Sequence, residues 1–124
     1  MASKFETLEE YCASLATEQG NVRGDTVKLI VETIQLDYPR ATVKIAWNVP
    51  QVQIDGEYVF GINAAKGWLV LASWNPESLP SFADRLKGYE MNERTFRVPV
   101  DWTPDRALLR DLVADRLAQL NITP

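Results

Sequence analysis

The residues of this chain best suited to binding are tryptophans and cations that lie close together in the sequence. Three of the four tryptophans fall between residues 43 and 74. Alternation of side chains along the predicted strands places Trp68 and Trp74 on the same sheet face as Arg97. An arginine or lysine binds a carboxylate or phosphate, and an indole ring stacks on the organic part of a ligand. We therefore predict a shallow site for a small organic anion. Its ligand-binding residues are Trp47, Pro50, Tyr58, Asn63, Lys66, Trp68, Trp74 and Arg97.

The same pattern has two other interpretations. In the first, the cations cover the indole rings through cation–π contacts, or a helix or a second subunit hides this face, so that no ligand binds. In the second, the chain is a protein-interaction or homo-oligomeric module without a small ligand. A homodimer interface would then contain Trp68, Trp74 or the stripe of Leu29 and Leu36. The sequence leaves these interpretations open, because nothing in the pattern names a ligand.

A metal site is a separate hypothesis, and it rests on Glu6, Glu9 and Glu10 at the start of the first predicted helix. Carboxylates offer hard oxygen ligands to a metal cation. Acids at a helix N-terminus are also favoured by the helix dipole, and Glu10 is the predicted capping-box partner of Thr7. The chain has no histidine and one cysteine, so it lacks the commonest acid/base group. No hydrolase, kinase or Rossmann signature occurs, and we expect a binding protein rather than an enzyme.

Length and composition predict one ordinary globular domain over residues 1–124. The net charge is −4 and no local cluster of basic residues offsets it, which argues against nucleic-acid binding. The longest apolar run is too short to span a membrane, and the polar, acidic N-terminus is not typical of a signal peptide. A single cysteine fits a reducing compartment. We expect a cytoplasmic protein with no membrane partner.

The predicted elements form an α+β fold with two N-terminal helices, a five-stranded mainly antiparallel sheet, a short helix before the last strand, and a C-terminal helix. In numbers, the helices cover about 7–18, 21–37, 76–86 and 103–120, and the strands cover 43–47, 51–54, 57–63, 68–74 and 93–100. Gly24 weakens the second helix, which we expect to become regular near Asp25. Residues 48–50 should break the strand, because proline cannot donate to a sheet ladder.

Parity along these strands sorts their side chains between two unlike faces. Trp47 and Tyr58 fall on the apolar face with Phe60 and Ile62, against the helices. Lys44, Gln51, Gln53, Asn63, Trp68, Val70, Trp74, Thr95 and Arg97 fall on the other face. The aspartates of the last helix, among them Asp115, are predicted to be solvated surface. Cys12 lies on an apolar helix stripe and is predicted to be a buried core residue.

The order of these segments resembles the YdhG-like family of small bacterial domains. The similarity rests on Thr-Leu-Glu-Glu-Tyr at 7–11, Tyr38-Pro39, and Lys-Ile-Ala-Trp-Asn-Val-Pro at 44–50. It continues through Phe60 to Lys66, Leu-Lys-Gly-Tyr at 86–89, Thr-Phe-Arg-Val-Pro at 95–99 and a closing amphipathic helix. The match covers nearly the whole chain, and its most specific part is the Trp-x-x-Pro of Trp47 and Pro50.

The resemblance implies an α+β sandwich that is distantly similar in architecture to frataxin. One member of that family is described as an iron chaperone that delivers iron for iron–sulfur or haem assembly. Acidic residues of the helices would carry such a role, which makes iron the metal that the resemblance implies. The family usually has a histidine shortly after the lysine that matches Lys66, whereas this chain has Gly67-Trp68. This departure weakens a metal or proton-transfer role there and leaves the aromatic–cation interpretation intact.

Overall fold

The chain folds as the predicted α+β domain, in a computed structural model that describes residues 5–124. In chain order the elements are α1 (Leu8–Ala13), α2 (Val22–Asp37), β1 (Thr42–Ala46), β2 (Val49–Ile54), β3 (Glu57–Ala64), β4 (Leu69–Ser73), α3 (Ser78–Ser81), β5 (Phe96–Val98) and α4 (Arg106–Gln119). The strands form one antiparallel sheet in the order β1-β2-β3-β4-β5. In the described part of the chain, no helix is long and apolar enough to cross a membrane.

The core lies between the sheet and the helices that contact it, α1, α2 and α4. Its largest fully buried side chains include Phe60, Phe96, Ile30, Ile34, Ile62, Leu71, Leu109 and Leu112. The strand residues in this set belong to the predicted apolar face. Each such side chain stabilises the fold by roughly 1.5–3 kcal/mol. Cys12 is also fully buried, as predicted.

The first helix is shorter than predicted, because side chains bind its last carbonyl groups. Thr7 caps α1 and accepts a hydrogen bond from the Glu10 N–H. The Glu10 carboxylate accepts from the Glu6 N–H and the Thr7 hydroxyl, so it reaches one residue further back than a capping box predicts. Asn21 Nδ2 donates to the Cys12 carbonyl at 2.9 Å. The chain therefore leaves α1 at Ala13 rather than near residue 18.

Gly24 belongs inside the first turn of α2, and the prediction that the regular helix begins near Asp25 is wrong. Asn21 caps this helix by accepting from the Gly24 N–H at 3.2 Å. A Cβ atom at Gly24 would lie 2.6 Å from the Cys12 carbonyl oxygen. Glycine is therefore needed here for the close contact between the end of α1 and the start of α2.

The predicted break at residues 48–50 is correct only at Asn48, because Val49 and Pro50 lie within β2 and Pro50 pairs with Ile45. The hairpin turn consists of Trp47 and Asn48 alone, both with left-handed backbone angles (φ 55° and 62°). A two-residue turn makes its flanking pair a hydrogen-bonded one, so the next pair, which contains Pro50, is not hydrogen-bonded. Pairing of β2 with β3 begins only at Gln51. Proline is tolerated because neither neighbouring strand needs its missing N–H.

A β-bulge in β3 reverses the predicted facing of Tyr58. Val52 pairs with Phe60 and Gln53 pairs with Tyr58, which leaves Val59 as the extra residue. Tyr58 therefore shares a face with Gln53 rather than with Phe60. Trp47 was predicted on the apolar face as well, but it lies in the turn with 67% of its surface exposed. Both aromatic residues belong to the side of the sheet opposite the core.

The prediction that Asp115 of α4 is solvated surface is wrong. Asp115 is the centre of a partly buried polar network. Its Oδ2 accepts from the Ser78 hydroxyl at 2.6 Å and from Asn75 Nδ2 at 2.8 Å. Ser78 is fully buried and also contacts the Ser73 hydroxyl at 3.1 Å. The network ties α4 to the segment that follows β4, which includes Trp74.

Candidate functional site

Three aromatic rings form a cluster on the sheet face opposite the core, and we call Trp47, Tyr58 and Trp74 the three-ring cluster. Tyr58 and Trp74 stack with ring centroids 5.2 Å apart, and Trp47 lies 5.6 and 5.7 Å from these two rings. The rings come from the β1–β2 turn, from β3 and from the residue after β4. Trp47 is the most exposed of the large apolar side chains in the described part of the chain.

A buried glutamine fixes the orientation of the cluster. Gln51 is only 5% exposed, and its Oε1 accepts a hydrogen bond from the Trp74 indole N–H at 2.9 Å. Gln51 pairs with Gly61 on the neighbouring strand. A Cβ atom at Gly61 would lie 2.8 Å from the same oxygen. Because Gly61 has no side chain, it leaves the space that the Gln51 side chain needs to reach the indole.

The second aromatic group lies around Trp68 and Arg97. The Arg97 guanidinium lies over the Trp68 ring, 4.2 Å from its centroid. Arg97 Nη1 also donates to the Glu90 carboxylate at 2.9 Å, and both side chains of this ion pair are exposed. A shallow groove of about 340 Å³ begins at this pair. Its main lining residues are Trp68, Tyr89, Glu90, Arg97, Pro99 and Trp102, and we call it the Trp68 groove.

The apolar wall of the Trp68 groove is held by contacts between two of its aromatic residues. Tyr89 and Trp102 meet edge to face at 6.1 Å, and the Trp102 indole N–H donates to the Tyr89 hydroxyl at 3.1 Å. Trp102 is 8% exposed and belongs to the core, which anchors the wall. The groove thus has an indole and a guanidinium at its mouth and fixed aromatic rings behind them.

The structure divides the predicted site into two places. Trp68 precedes β4 and Trp74 follows it, and six residue steps at about 3.3 Å each separate their backbones by roughly 20 Å. One small ligand therefore cannot stack on both rings, as the sequence had suggested. Asn63 lies in the same cross-strand row as Arg97, through Val70 between them.

The structure also places two further predicted residues, Lys66 and Pro50. Lys66 is exposed in the β3–β4 loop and makes no ion pair with any residue in the range 5–124. Pro50 is buried in β2, on the face that packs against the helices. Neither is a lining residue of the Trp68 groove.

Strand parity could not identify several residues that build these places. Tyr89, Glu90 and Trp102 come from irregular segments, where neither the helical nor the strand period applies. The sequence marks Tyr89 only through the Leu-Lys-Gly-Tyr segment of the family resemblance. Alternation predicts the correct face for Gln51, but its hydrogen bond to Trp74 depends on the missing side chain of Gly61 on the neighbouring strand. No sequence signal within β2 points to that pairing.

The predicted metal ligands Glu6, Glu9 and Glu10 are all exposed at the start of α1. Glu10 already accepts two hydrogen bonds from its own turn. Among residues 5–124, no three acid or thiol side chains come together in an arrangement that could hold a metal ion. Cys12 is unsuited to ligation for a separate reason, since burial raises the pKa of its thiol to about 11. The iron hypothesis stays an untested prediction.

Comparison with known proteins identifies the fold. No protein-family model matches the chain, and no curated protein matches it significantly. The chain superposes on the crystal structure of YdhG, a DUF1801-family protein from Bacillus subtilis, with a TM-score of 0.80 and 22% identity over 92% of this chain and 90% of YdhG. The chain therefore shares its fold with YdhG.

A second solved structure gives a weaker superposition. An uncharacterized conserved protein from Lactobacillus casei matches with a TM-score of 0.58 and 22% identity, over 95% of each chain. These likenesses agree with the architecture that the YdhG-like resemblance implied. Neither match indicates a relation to frataxin.

Proposed function

We propose that this protein is a non-enzymatic binding protein that takes a small organic anion in the Trp68 groove. The observation that carries the proposal is the Arg97 guanidinium held 4.2 Å from the Trp68 ring at the mouth of an aromatic groove. A guanidinium stacked on an indole keeps its edge free for a carboxylate or phosphate. The ligand's anionic group would bind Arg97, and its apolar part would lie against Tyr89 and Trp102.

Glu90 would act as the internal competitor for the ligand. Its carboxylate binds Arg97 at 2.9 Å, but 78% of its side chain is exposed. An exposed ion pair of this kind stabilises the fold by only about 0.2–1 kcal/mol, so a ligand carboxylate can replace it at little cost. The groove volume of about 340 Å³ lies at the small end of the range for ligand sites, which favours a ligand with a single ring.

The test is a two-dimensional NMR titration with three probes: benzoate, phenyl phosphate and inorganic phosphate. We expect saturable shifts of the Trp68 indole N–H with benzoate and phenyl phosphate, and weaker binding of inorganic phosphate, which lacks an apolar part. Arg97→Ala should weaken binding of the aromatic anions at least tenfold. Glu90→Gln should tighten it, because the competing charge is removed while the side-chain volume is kept. Higher salt should weaken binding, since the site is exposed.

Arg85 offers a matched control for Arg97. Its guanidinium lies 5.4 Å from the Phe82 ring and pairs with Asp111 at 2.7 Å, so Arg85→Ala removes the same charge and a similar pair of contacts elsewhere. We expect Arg85→Ala to leave anion binding unchanged. Shifts that never saturate, or equal losses in the Arg85 and Arg97 variants, would refute the anion site.

A second candidate function is self-association through the three-ring cluster. The observation that favours it is the 67% exposure of Trp47 on the side of the sheet opposite the core, because large exposed aromatic residues are enriched in interfaces. Light scattering over a range of protein concentrations should then reveal a dimer, and Trp47→Ser should return it to a monomer. A wild-type chain that stays monomeric at high concentration would exclude this candidate.

A further inference from the structure

The two edges of the sheet differ in how their backbone groups are paired. At β5, the chain covers its own edge, since the Arg97 N–H donates to the Glu90 carbonyl at 2.9 Å and the Asn92 N–H donates to the Thr95 carbonyl at 3.0 Å. At β1, the sheet ends within the described residues 5–124, where the strand pairs only with β2. Natural sheets usually cover or block such an edge, because it offers a ready partner to another strand.

The register identifies which groups of β1 point outward. Ala46 and Val49 flank the two-residue turn and form a hydrogen-bonded pair, so the pairs that contain Lys44 and Thr42 are hydrogen-bonded as well. The backbone groups of Val43 and Ile45 then face away from β2. Pro50 opposite Ile45 agrees with this alternation, since it has no N–H to donate. These outward groups have no hydrogen-bond partner among residues 5–124.

A groove of about 490 Å³ lies beside this edge, between Val43, the start of α1 and the exposed side of α2. Its lining combines three apolar residues, Leu8, Val31 and Val43, with three carboxylates and one ammonium group. The charged lining residues are Glu6, Glu9, Glu32 and Lys28. Alternate side chains of a strand added to β1 would point to the helix side of the sheet and enter this groove. The excess of carboxylates favours basic side chains at those positions.

We propose that the β1 edge binds an extended segment of a partner protein as a sixth strand, with lysine or arginine at the alternate positions that face the helices. A second copy of this chain fits less well. Pairing of β1 with another β1 would present Val43 and Ile45 to the groove instead of a base, and it would bring two sets of carboxylates together. The proposal concerns the edge and the helix side of the sheet, so it is independent of the Trp68 groove.

Amide hydrogen exchange on the wild-type chain tests the edge directly. The probe is a synthetic eight-residue peptide of alternating valine and lysine, and the control peptide alternates valine and glutamate. In the free protein, we expect fast exchange at Val43 and Ile45 and slow exchange at Lys44 and Ala46. The valine–lysine peptide should slow exchange at Val43 and Ile45 at least tenfold, and the valine–glutamate peptide should not. This measurement needs no variant to fold.

Two variants test the contributions of backbone and charge separately. Val43→Pro removes an outward N–H and leaves the ladder with β2 intact, so we expect it to abolish peptide binding. The double variant Glu9→Lys/Glu32→Lys should weaken binding at least tenfold. Its control is Glu57→Lys/Glu93→Lys, which makes the same change of charge at exposed positions outside the groove and should bind as the wild type does.

Each alternative result would overturn the proposal. Unchanged exchange at Val43 and Ile45 with saturating peptide would mean that the edge does not accept a strand. Equal binding of the two peptides, or equal losses in the two double variants, would remove the charge preference. Slow exchange at Val43 and Ile45 without peptide, together with a dimer in light scattering, would identify a second copy as the occupant.

Discussion

Replacing Asp115 with alanine should lower the free energy of unfolding by about 2–4 kcal/mol, although the sequence alone marks it as a surface residue. Its carboxylate accepts from the Ser78 hydroxyl at 2.6 Å and from Asn75 Nδ2 at 2.8 Å. Hydrogen bonds to a charged group contribute about 1.5–3 kcal/mol each, and a buried donor left without an acceptor costs about 1–3 kcal/mol. Ser78 keeps its contact with Ser73, which limits the loss and places the expected value below the sum of both bonds.

The assay is urea unfolding, and the matched control is Asp111→Ala, one helical turn earlier on α4. Asp111 binds Arg85 and Arg110 at 2.7 and 3.0 Å, but these side chains are all more than a third exposed. Exposed pairs contribute about 0–1 kcal/mol, so the control should lose less than 1 kcal/mol. Both variants should keep the slope of the wild-type transition. Equal losses in the two variants, or a smaller loss in Asp115→Ala, would refute the role assigned to the network.

Two further predictions follow from local geometry. Gly24→Ala should destabilise the protein by about 1–3 kcal/mol in urea unfolding, even though alanine is the better helix former by about 1 kcal/mol, because its Cβ would lie 2.6 Å from the Cys12 carbonyl oxygen. Stability should also fall in acid, because the guanidinium of Arg106, hydrogen-bonded to the Asp37 carboxylate, lowers the pKa of that carboxyl from its ordinary 3.8. A carboxyl whose pKa is lower in the native state stabilises the fold at pH values above its unfolded-state pKa. This stabilisation is lost as the pH falls through the native pKa, so Arg106→Ala should flatten the loss below about pH 4.

The fold was predictable wherever the signal is local. Thr7 caps the first helix, as its sequence context predicts, and the apolar stripe of α2 faces the core. The register of the sheet was less accessible. Alternation along a strand predicts which residues share a face only if each residue pairs with one residue of the neighbouring strand. The extra residue Val59 in β3 breaks that condition. The pairing pattern also explains Pro50. The general rule against proline excludes it from a strand, but its pair with Ile45 needs no N–H.

The candidate site was predicted in part, for a related reason. Trp68 directly precedes β4 and Arg97 lies in β5, where alternation is regular. The structure brings the two side chains together, as the sequence suggested. Trp74 obeys the same alternation, but parity gives a face and not a distance along the strand. The sequence therefore grouped two tryptophans that lie at opposite ends of β4. Tyr89 and Trp102 come from loops, and only the folded chain places them beside Trp68.

The left-handed backbone at Trp47 does not by itself require a function. An L-residue in this region costs roughly 1–2 kcal/mol. Each aromatic pair contributes about 0.5–1.5 kcal/mol beyond its buried area, and Trp47 makes two such contacts, with Tyr58 and Trp74. Packing within the three-ring cluster is therefore enough to offset the backbone cost. The argument for self-association rests only on the exposure of Trp47, whereas the anion site combines a cation and aromatic rings at the Trp68 groove. This difference is why the anion site is the better-supported proposal.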